Sequence, residues 1–232
     1  MIGIIAGTSF YDKMPFSGFV LKKCSTKFGK AELFLGHISG KKACFAFRHG
    51  KKHNILPHEV NYAAIIEGMK RQGCMEIIGV CSAGSLKKAI KPGTIAVPSD
   101  FISFERVTSL KNEIRHITPE ISTEISQKLL KAAIKAGINA KKGLVYAQSP
   151  GPRLETRAEV RFYSKIADII GMTMAGESTI CSELGVKYAS LCSIDNYANG
   201  IEGKASYTAI KNAAKTNSSR LAKIILDYLE QD

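Results

Sequence analysis

No apolar run in this chain approaches the ~18 residues that cross a bilayer, and no low-complexity stretch, internal repeat or linker composition interrupts it. Those absences exclude a membrane-spanning helix and a repeat architecture, and they leave 232 residues to be read as one domain, 1–232, with a substantial core. The start, Met1 to Ala6, lacks the basic head and longer apolar stretch of a secretory signal, so a cytoplasmic protein is expected. Cysteines are few and show no C-x-x-C spacing. Cys24, Cys44, Cys74, Cys81, Cys181 and Cys192 are scattered, several within apolar runs, and read as buried reduced thiols rather than a disulfide framework or a zinc site.

Acidic residues are scarce against basic ones, 20 to 33, giving a net charge of +13. Such an excess favours anionic partners: nucleic acid, an acidic membrane surface or a phosphorylated small molecule. The lysines nevertheless come as separated pairs (Lys22-Lys23, Lys41-Lys42, Lys51-Lys52, Lys87-Lys88, Lys141-Lys142), with no zinc-finger or RNP signature among them. A solvated basic surface is the better reading, and a nucleic-acid-binding module is kept as the competitor, to be separated by its steep salt dependence.

Short β-rich runs alternate with helical patterns along the whole chain, the signature of an α/β layered domain with a mostly parallel sheet. The pattern predicts a first strand at Ile2 to Ala6, a helix over Glu59 to Gln72, and a strand Met75 to Val80 that opens into a small-residue loop, Ser82-Ala83-Gly84-Ser85. Thr118 and Pro119 read as cap and first turn of a helix ending at Gly137. Further along come a strand Gly143 to Gln148, a loop Ser149 to Pro152, a helix Thr156 to Ala167, a strand Asp168 to Gly171 and a helix Ala175 to Leu184. A strand Lys187 to Ile194, a polar loop Asp195 to Gly203 and a closing helix from about Tyr207 to Tyr228 complete the pattern. Ligands of open α/β sheets bind beyond the carboxyl ends of the strands, which makes the loops after these strands candidate site walls.

Familiar signatures fail: there is no G-x-G-x-x-G, no G-x-x-x-x-G-K-[ST] and no G-x-S-x-G. His49, His53 and His58 lie close together, but Gly50 and Pro57 break any helix that would align them, and no metal is expected there. What is present is a set of small polar groups after strands, Gly7-Thr8-Ser9, Arg48-His49-Gly50, Cys81 to Ser85 and Met172-Thr173. Hydroxyls, turn N–H groups and an arginine fork are the parts that hold a tetrahedral oxyanion, and they suggest a phosphate pocket.

Five ordered segments carry a resemblance: Gly3 to Phe10; Arg48-His49-Gly50 with Leu56 to Tyr62; Ala83 to Leu86 with Ile90 to Gly93; Gly151 to Glu159; and Gly171-Met172-Thr173 with Glu177. Together they resemble the purine nucleoside phosphorylase and methylthioadenosine phosphorylase family. The resemblance implies a three-layer α/β/α fold, a mostly parallel or mixed sheet and a homo-oligomer, most often a trimer or a dimer of trimers. It also implies phosphorolysis of a purine nucleoside to free base and pentose 1-phosphate, with inorganic phosphate as co-substrate and no cofactor or metal. Carried over by motif, Thr8, Arg48, His49, Ser82 and Thr173 would hold phosphate with Cys81 beside it, and Met172 would pack on the ribose. Cys81-Ser82 departs from the Thr-Ala of methylthioadenosine phosphorylases, which puts the Thr hydroxyl contact in doubt.

Glu155 stands where the 6-oxopurine enzymes of the resembled family carry a base-binding Glu, and Asn196 and Ala198 stand where methylthioadenosine phosphorylases have two Asp residues. A carboxylate accepts from N1–H of hypoxanthine or guanine but meets a lone pair in adenine. The expected substrates are therefore inosine and guanosine, with S-methyl-5′-thioinosine and methylthioadenosine as runners-up. Asn196, Glu155 and Arg48 are the expected catalytic groups. His116 falls near the family segment beside the 5′ end of the sugar. Asp195, beside Asn196, is read as a loop-surface carboxylate, with a proton relay as the alternative, and Arg153 as structural.

Overall fold

The computed structural model describes residues 1–10, 15–112 and 114–231. Among these, eleven strands form one mixed sheet: β1 (Ile2–Ala6), β2 (Val20–Thr26), β3 (Gly29–Ile38), β4 (Lys41–Phe47), β5 (Glu76–Ser85), β6 (Ile95–Val97), β7 (Asp100–Ser103), β8 (Lys141–Lys142), β9 (Val145–Gln148), β10 (Ile169–Gly171) and β11 (Lys187–Tyr197). The helices are α1 (Tyr62–Arg71), α2 (Thr123–Lys135), α3 (Arg157–Tyr163), α4 (Met174–Glu183) and α5 (Tyr207–Leu229).

β5 organises the sheet. Its first half runs parallel to β1, its last two residues pair antiparallel with β10, and β11 follows it in parallel along its length. Its sequence, EIIGVCSAGS, carries small or apolar side chains beyond the first residue and is buried on both faces, as a strand covered by helices on each side must be. β4 flanks β1 in parallel, and the β2–β3 hairpin extends that edge antiparallel.

Alternation along the strands feeds two large cores, beside a small third one of Leu86, Ala147, Val160 and Ile170. Ile4, Ala6, Ala189 and Leu191 face α2 and α5, where Leu129, Ala132, Leu221 and Ile225 pack on them. Ile5, Ile77, Tyr188 and Cys192 face α1 and α4, against Ile66, Met69, Met174 and Ile180. Each fully buried aliphatic side chain contributes about 1.5–3 kcal/mol relative to exposure, so the two faces hold helices and sheet in register. The three-layer α/β/α arrangement is that of a single α/β domain.

Three expectations need correction. Cys81 to Ser85 is not a loop but the second half of β5, because β10 and β11 supply partners that a linear reading does not contain. The helix expected from Thr118 starts instead at Thr123, capped by Ser122, whose hydroxyl accepts from the Ile125 N–H. Likewise β11 runs on through Asp195 and Asn196 to Tyr197 rather than ending at Ile194.

Candidate active site

Where β4, β5, β10 and β11 end together, a cavity of about 430 Å³ opens. Its walls bring together Thr8, Arg48, His49, Ser82, Glu155, Met172, Thr173, Asn196 and Ala198, nine residues separated in sequence by up to 190 positions. Two expected residues lie elsewhere. Cys81 is buried behind the wall, its Sγ 3.6 Å from Arg48 Nη2 and 3.8 Å from Thr173 Oγ1. His116 is exposed and does not line the cavity of its own chain.

The cationic end is built around Arg48, which is 2% exposed. Its Nε donates to Glu177 Oε1 at 2.6 Å, Nη1 to the Val80 carbonyl at 2.9 Å and Nη2 to the Ile5 carbonyl at 3.1 Å. The guanidinium thus ties the end of β1 and the middle of β5 to α4 while presenting charge to the cavity. Glu177 is fully buried and also accepts from Tyr188 Oη at 2.7 Å. Burial pushes its carboxyl up to about 7, against the pull of Arg48. Cys81 is pulled the other way, to about 5, by the Cys192 thiol and by Arg48, against the cost of burial.

His49 follows Arg48, and its Nδ1 lies 2.9 Å from the Ile55 carbonyl. A carbonyl only accepts, so Nδ1 carries the proton and Nε2 is left with its lone pair. Burial, then Arg48, lower the ring to about 4, so it is neutral near pH 7. Thr173 precedes α4, and its N–H donates to Tyr146 Oη at 3.2 Å.

At the other end, Glu155 is 7% exposed and lies just before Thr156, which caps α3 in a reciprocal capping box with Glu159. Glu155 Oε1 accepts from the Ser149 hydroxyl at 2.5 Å, and its carbonyl accepts from Asn199 Nδ2. Arg153 is bound at two points to Glu159 and serves the loop rather than the cavity. Asn196 Nδ2 donates to the Tyr197 carbonyl at 2.7 Å, which fixes which way the amide faces.

Other lining residues carry no site role in the sequence reading, although Leu56 and Pro57 fall in one of the segments that bear the resemblance. His53, Ile55, Leu56 and Pro57 come from the loop after β4, and Tyr207 and Ile210 from the first turn of α5. Tyr207 and Ile210 stand three apart on a helix start that is otherwise polar, a spacing that marks a common face.

A family model described as "Phosphorylase superfamily" matches residues 1–230. The "Probable 6-oxopurine nucleoside phosphorylase" of Archaeoglobus fulgidus is 35% identical, covering 100% of this chain and 96% of that protein. The "Probable S-methyl-5′-thioinosine phosphorylase" of Methanocaldococcus jannaschii is 34% identical, covering 99% and 92%. A methylthioadenosine phosphorylase from Schistosoma mansoni in complex with adenine, 24% identical, superposes with a TM-score of 0.90 over 98% of this chain and 90% of that one, a likeness of fold. By sequence over its whole described length, this chain belongs to the phosphorylase superfamily and is a nucleoside phosphorylase, a pentosyl-transferring enzyme.

Proposed function

We propose that the substrates are 6-oxopurine nucleosides, inosine and guanosine, cleaved with inorganic phosphate to free base and pentose 1-phosphate. In this reading Thr8, Arg48, His49, Ser82 and Thr173 hold the phosphate against the anomeric carbon, and Met172 packs on the sugar. A phosphate oxygen forms the new bond to C1′ as the bond from C1′ to N9 breaks, and the bonding electrons pass to the imidazole ring of the purine. The protein's part is to position the nucleophile and to stabilise the leaving base, which calls for neither a covalent nucleophile nor a cofactor.

The observation that carries the reading is the meeting of Glu155 and Asn196, with the apolar Ala198 beside them, in the cavity that also holds Arg48 and His49. Ser149 orients one carboxylate oxygen of Glu155, and the other has no hydrogen-bond partner among the described residues. It is suited to accept from the N1–H of a 6-oxopurine. With Nδ2 committed to the Tyr197 carbonyl, Asn196 offers Oδ1 to N7–H and its second N–H to O6. Adenine reverses the donor and acceptor at N1 and position 6, leaving buried groups unpaired, the arrangement that sites reject most strongly.

A second reading has its own observation. Ile55, Leu56, Pro57, Tyr207 and Ile210 give the cavity an apolar flank, which suits a 5′-methylthio group better than a 5′-hydroxyl, and a relative at 34% identity carries the thioinosine name. Assay of inosine, guanosine, adenosine, methylthioinosine and methylthioadenosine with phosphate, reading free base, tests both. Faster turnover of methylthioadenosine than of inosine and methylthioinosine refutes the base-pocket reading.

We also propose a homo-oligomer, a trimer or hexamer, acting in the cytoplasm. Exposed Phe104 stacks with Phe162 and Tyr163 at 6.4 and 6.5 Å between ring centroids, an aromatic surface of the kind that buries on association. No helix among the described residues is long and apolar enough to cross a membrane.

A further inference from the structure

Asp195 faces the α5 layer and is 4% exposed, although a free carboxylate belongs in water. It is the extra residue of a β-bulge: Ile194 pairs with Ala83 and Asn196 with Gly84, so Asp195 has no partner on β5. The bulge decides where Asn196 stands. Opposite Gly84, Asn196 meets a residue with no side chain, and a Cβ there would lie 3.3 Å from Asn196 Nδ2. A slip of one residue would turn Asn196 to the other face of the sheet.

A closed ring of hydrogen bonds holds this bulge. Asp195 Oδ1 accepts from Ser193 Oγ at 2.8 Å and from Asn217 Nδ2 at 3.1 Å. Asn217 Oδ1 accepts from Arg220 Nη1 at 3.1 Å, and the same nitrogen donates to the Gly93 carbonyl at 2.6 Å. The Gly93 N–H then donates to the carbonyl of Ile194, the residue before the bulge, at 2.8 Å. Asn217 is 3% exposed and belongs to the helix whose Tyr207 and Ile210 line the cavity. None of Ser193, Asp195, Asn217 and Arg220 lines the cavity itself.

We infer that Asp195, held by Asn217, is a positioning residue for base specificity: it locks the bulge that sets Asn196 opposite Gly84 and aims its amide at the purine. The inference rests on the 6-oxopurine reading for the identity of the base and on the ring of bonds for the rest. Burial of the carboxyl raises its pKa, opposed by Ser82, Ser193 and Asn217, consistent with a group placed for structure at some cost. Asp195 Oδ2 has no hydrogen-bond partner of good geometry among the described residues, with Ser82 the polar neighbour on that side.

The test compares wild type with Asn217→Ala, Asp195→Ala and Asp195→Asn, measuring KM and kcat for inosine, relative turnover of adenosine, KM for phosphate and Tm. Asn217→Ala and Asp195→Ala should raise the inosine KM about tenfold and lower the inosine-to-adenosine preference by about the same factor. In Asn217→Ala the phosphate KM should stay within about twofold, and Asp195→Asn, whose amide oxygen keeps both bonds, should stay within about threefold of wild type throughout. An Asn217→Ala enzyme with lowered Tm but unaltered preference overturns the inference, as do inosine and phosphate KM values that rise together. So does an Asp195→Asn variant as impaired as Asp195→Ala. If Asp195→Ala does not fold, Asn217→Ala carries the decision. Wild type with no preference for inosine would refute the substrate reading alone; crystal structures of wild type and Asn217→Ala then decide, and an unchanged pairing of Asn196 with Gly84 overturns the role given to Asp195.

Discussion

The buried pair of Arg48 and Glu177 makes anion binding depend on pH in a direction that can be worked out. Glu177 titrates at about 7, pushed up by burial. Below that value its carboxyl is neutral and Arg48 faces one negative charge fewer; above it, the carboxylate joins the Cys81 thiolate in cancelling the field an anion would meet. Taking about 7 Å from the carboxylate across the guanidinium to a bound anion and an effective dielectric of about 20, the added charge costs about 2 kcal/mol per unit charge on the anion. That is roughly thirtyfold in affinity per unit charge.

Phosphate changes its own protonation in this range, so the cleaner probe is sulfate, a competitive anion that does not. Its inhibition constant should rise as pH goes from about 6 to about 8, and the rise should vanish in Glu177→Gln, which keeps an acceptor for Arg48 Nε but cannot ionise. His49 and Cys81 titrate at about 4 and about 5, below the window. His53 also lines the cavity, so both backgrounds carry His53→Asn. Its φ of 51° is one that asparagine tolerates. A flat sulfate profile in the parent, or the same slope in Glu177→Gln, would show that the carboxylate does not govern the anion site.

Glu155→Ser should cost inosine turnover about 2 kcal/mol in kcat/KM, the range for one hydrogen bond to a charged group, while adenosine changes little; paired progress curves check this. Arg48→Ala strips the ion pair from buried Glu177 and should lower stability by about 3–5 kcal/mol, so urea unfolding, not only phosphate kinetics, will register it. Gly7→Ala would place a Cβ 2.9 Å from Arg48 Nη1, and the displaced guanidinium should raise the phosphate KM with little change in that for inosine. Thr156→Ala removes one half of the α3 capping box, costing about 1 kcal/mol and lowering Tm by a few degrees, as calorimetry would record.

Much of the molecule could be read from local pattern because the elements concerned are bounded by strong local signals. β1 and α4 fall within a residue of their expected limits, and α3 begins where Thr156 and Glu159 form their box. What failed was set by distant partners. Cys81 to Ser85 has the composition of a turn, yet pairing with β10 and β11 keeps it extended. Thr118-Pro119 is a good helix start on paper, but Ser122 takes the cap, and its N–H donates to the Tyr188 carbonyl of a neighbouring strand. The β2–β3 hairpin was missed because β2 is an edge strand with no buried residue, and Lys22 and Lys23 dilute its alternation.

The cavity divides the same way. Thr8, Arg48, His49, Ser82, Glu155, Met172, Thr173, Asn196 and Ala198 were named from motifs and line one cavity. The partners that make Arg48 rigid were not legible, since Glu177, Ile5 and Val80 meet it only through the crossing of three elements. Asp195 was misjudged for a related reason. A carboxylate in a stretch of polar residues looks solvated until α5 is known to close over it.

The double duty of Arg48 has a consequence for descent. A lineage that abandoned phosphate as a reactant would still need a guanidinium at this point, because removing it leaves Glu177 and the carbonyls of Ile5 and Val80 stranded in the interior. Persistence of this arginine among related chains is therefore poor testimony to retained chemistry. The hydroxyl of Thr8, which the scaffold does not lean on in that way, is the better witness.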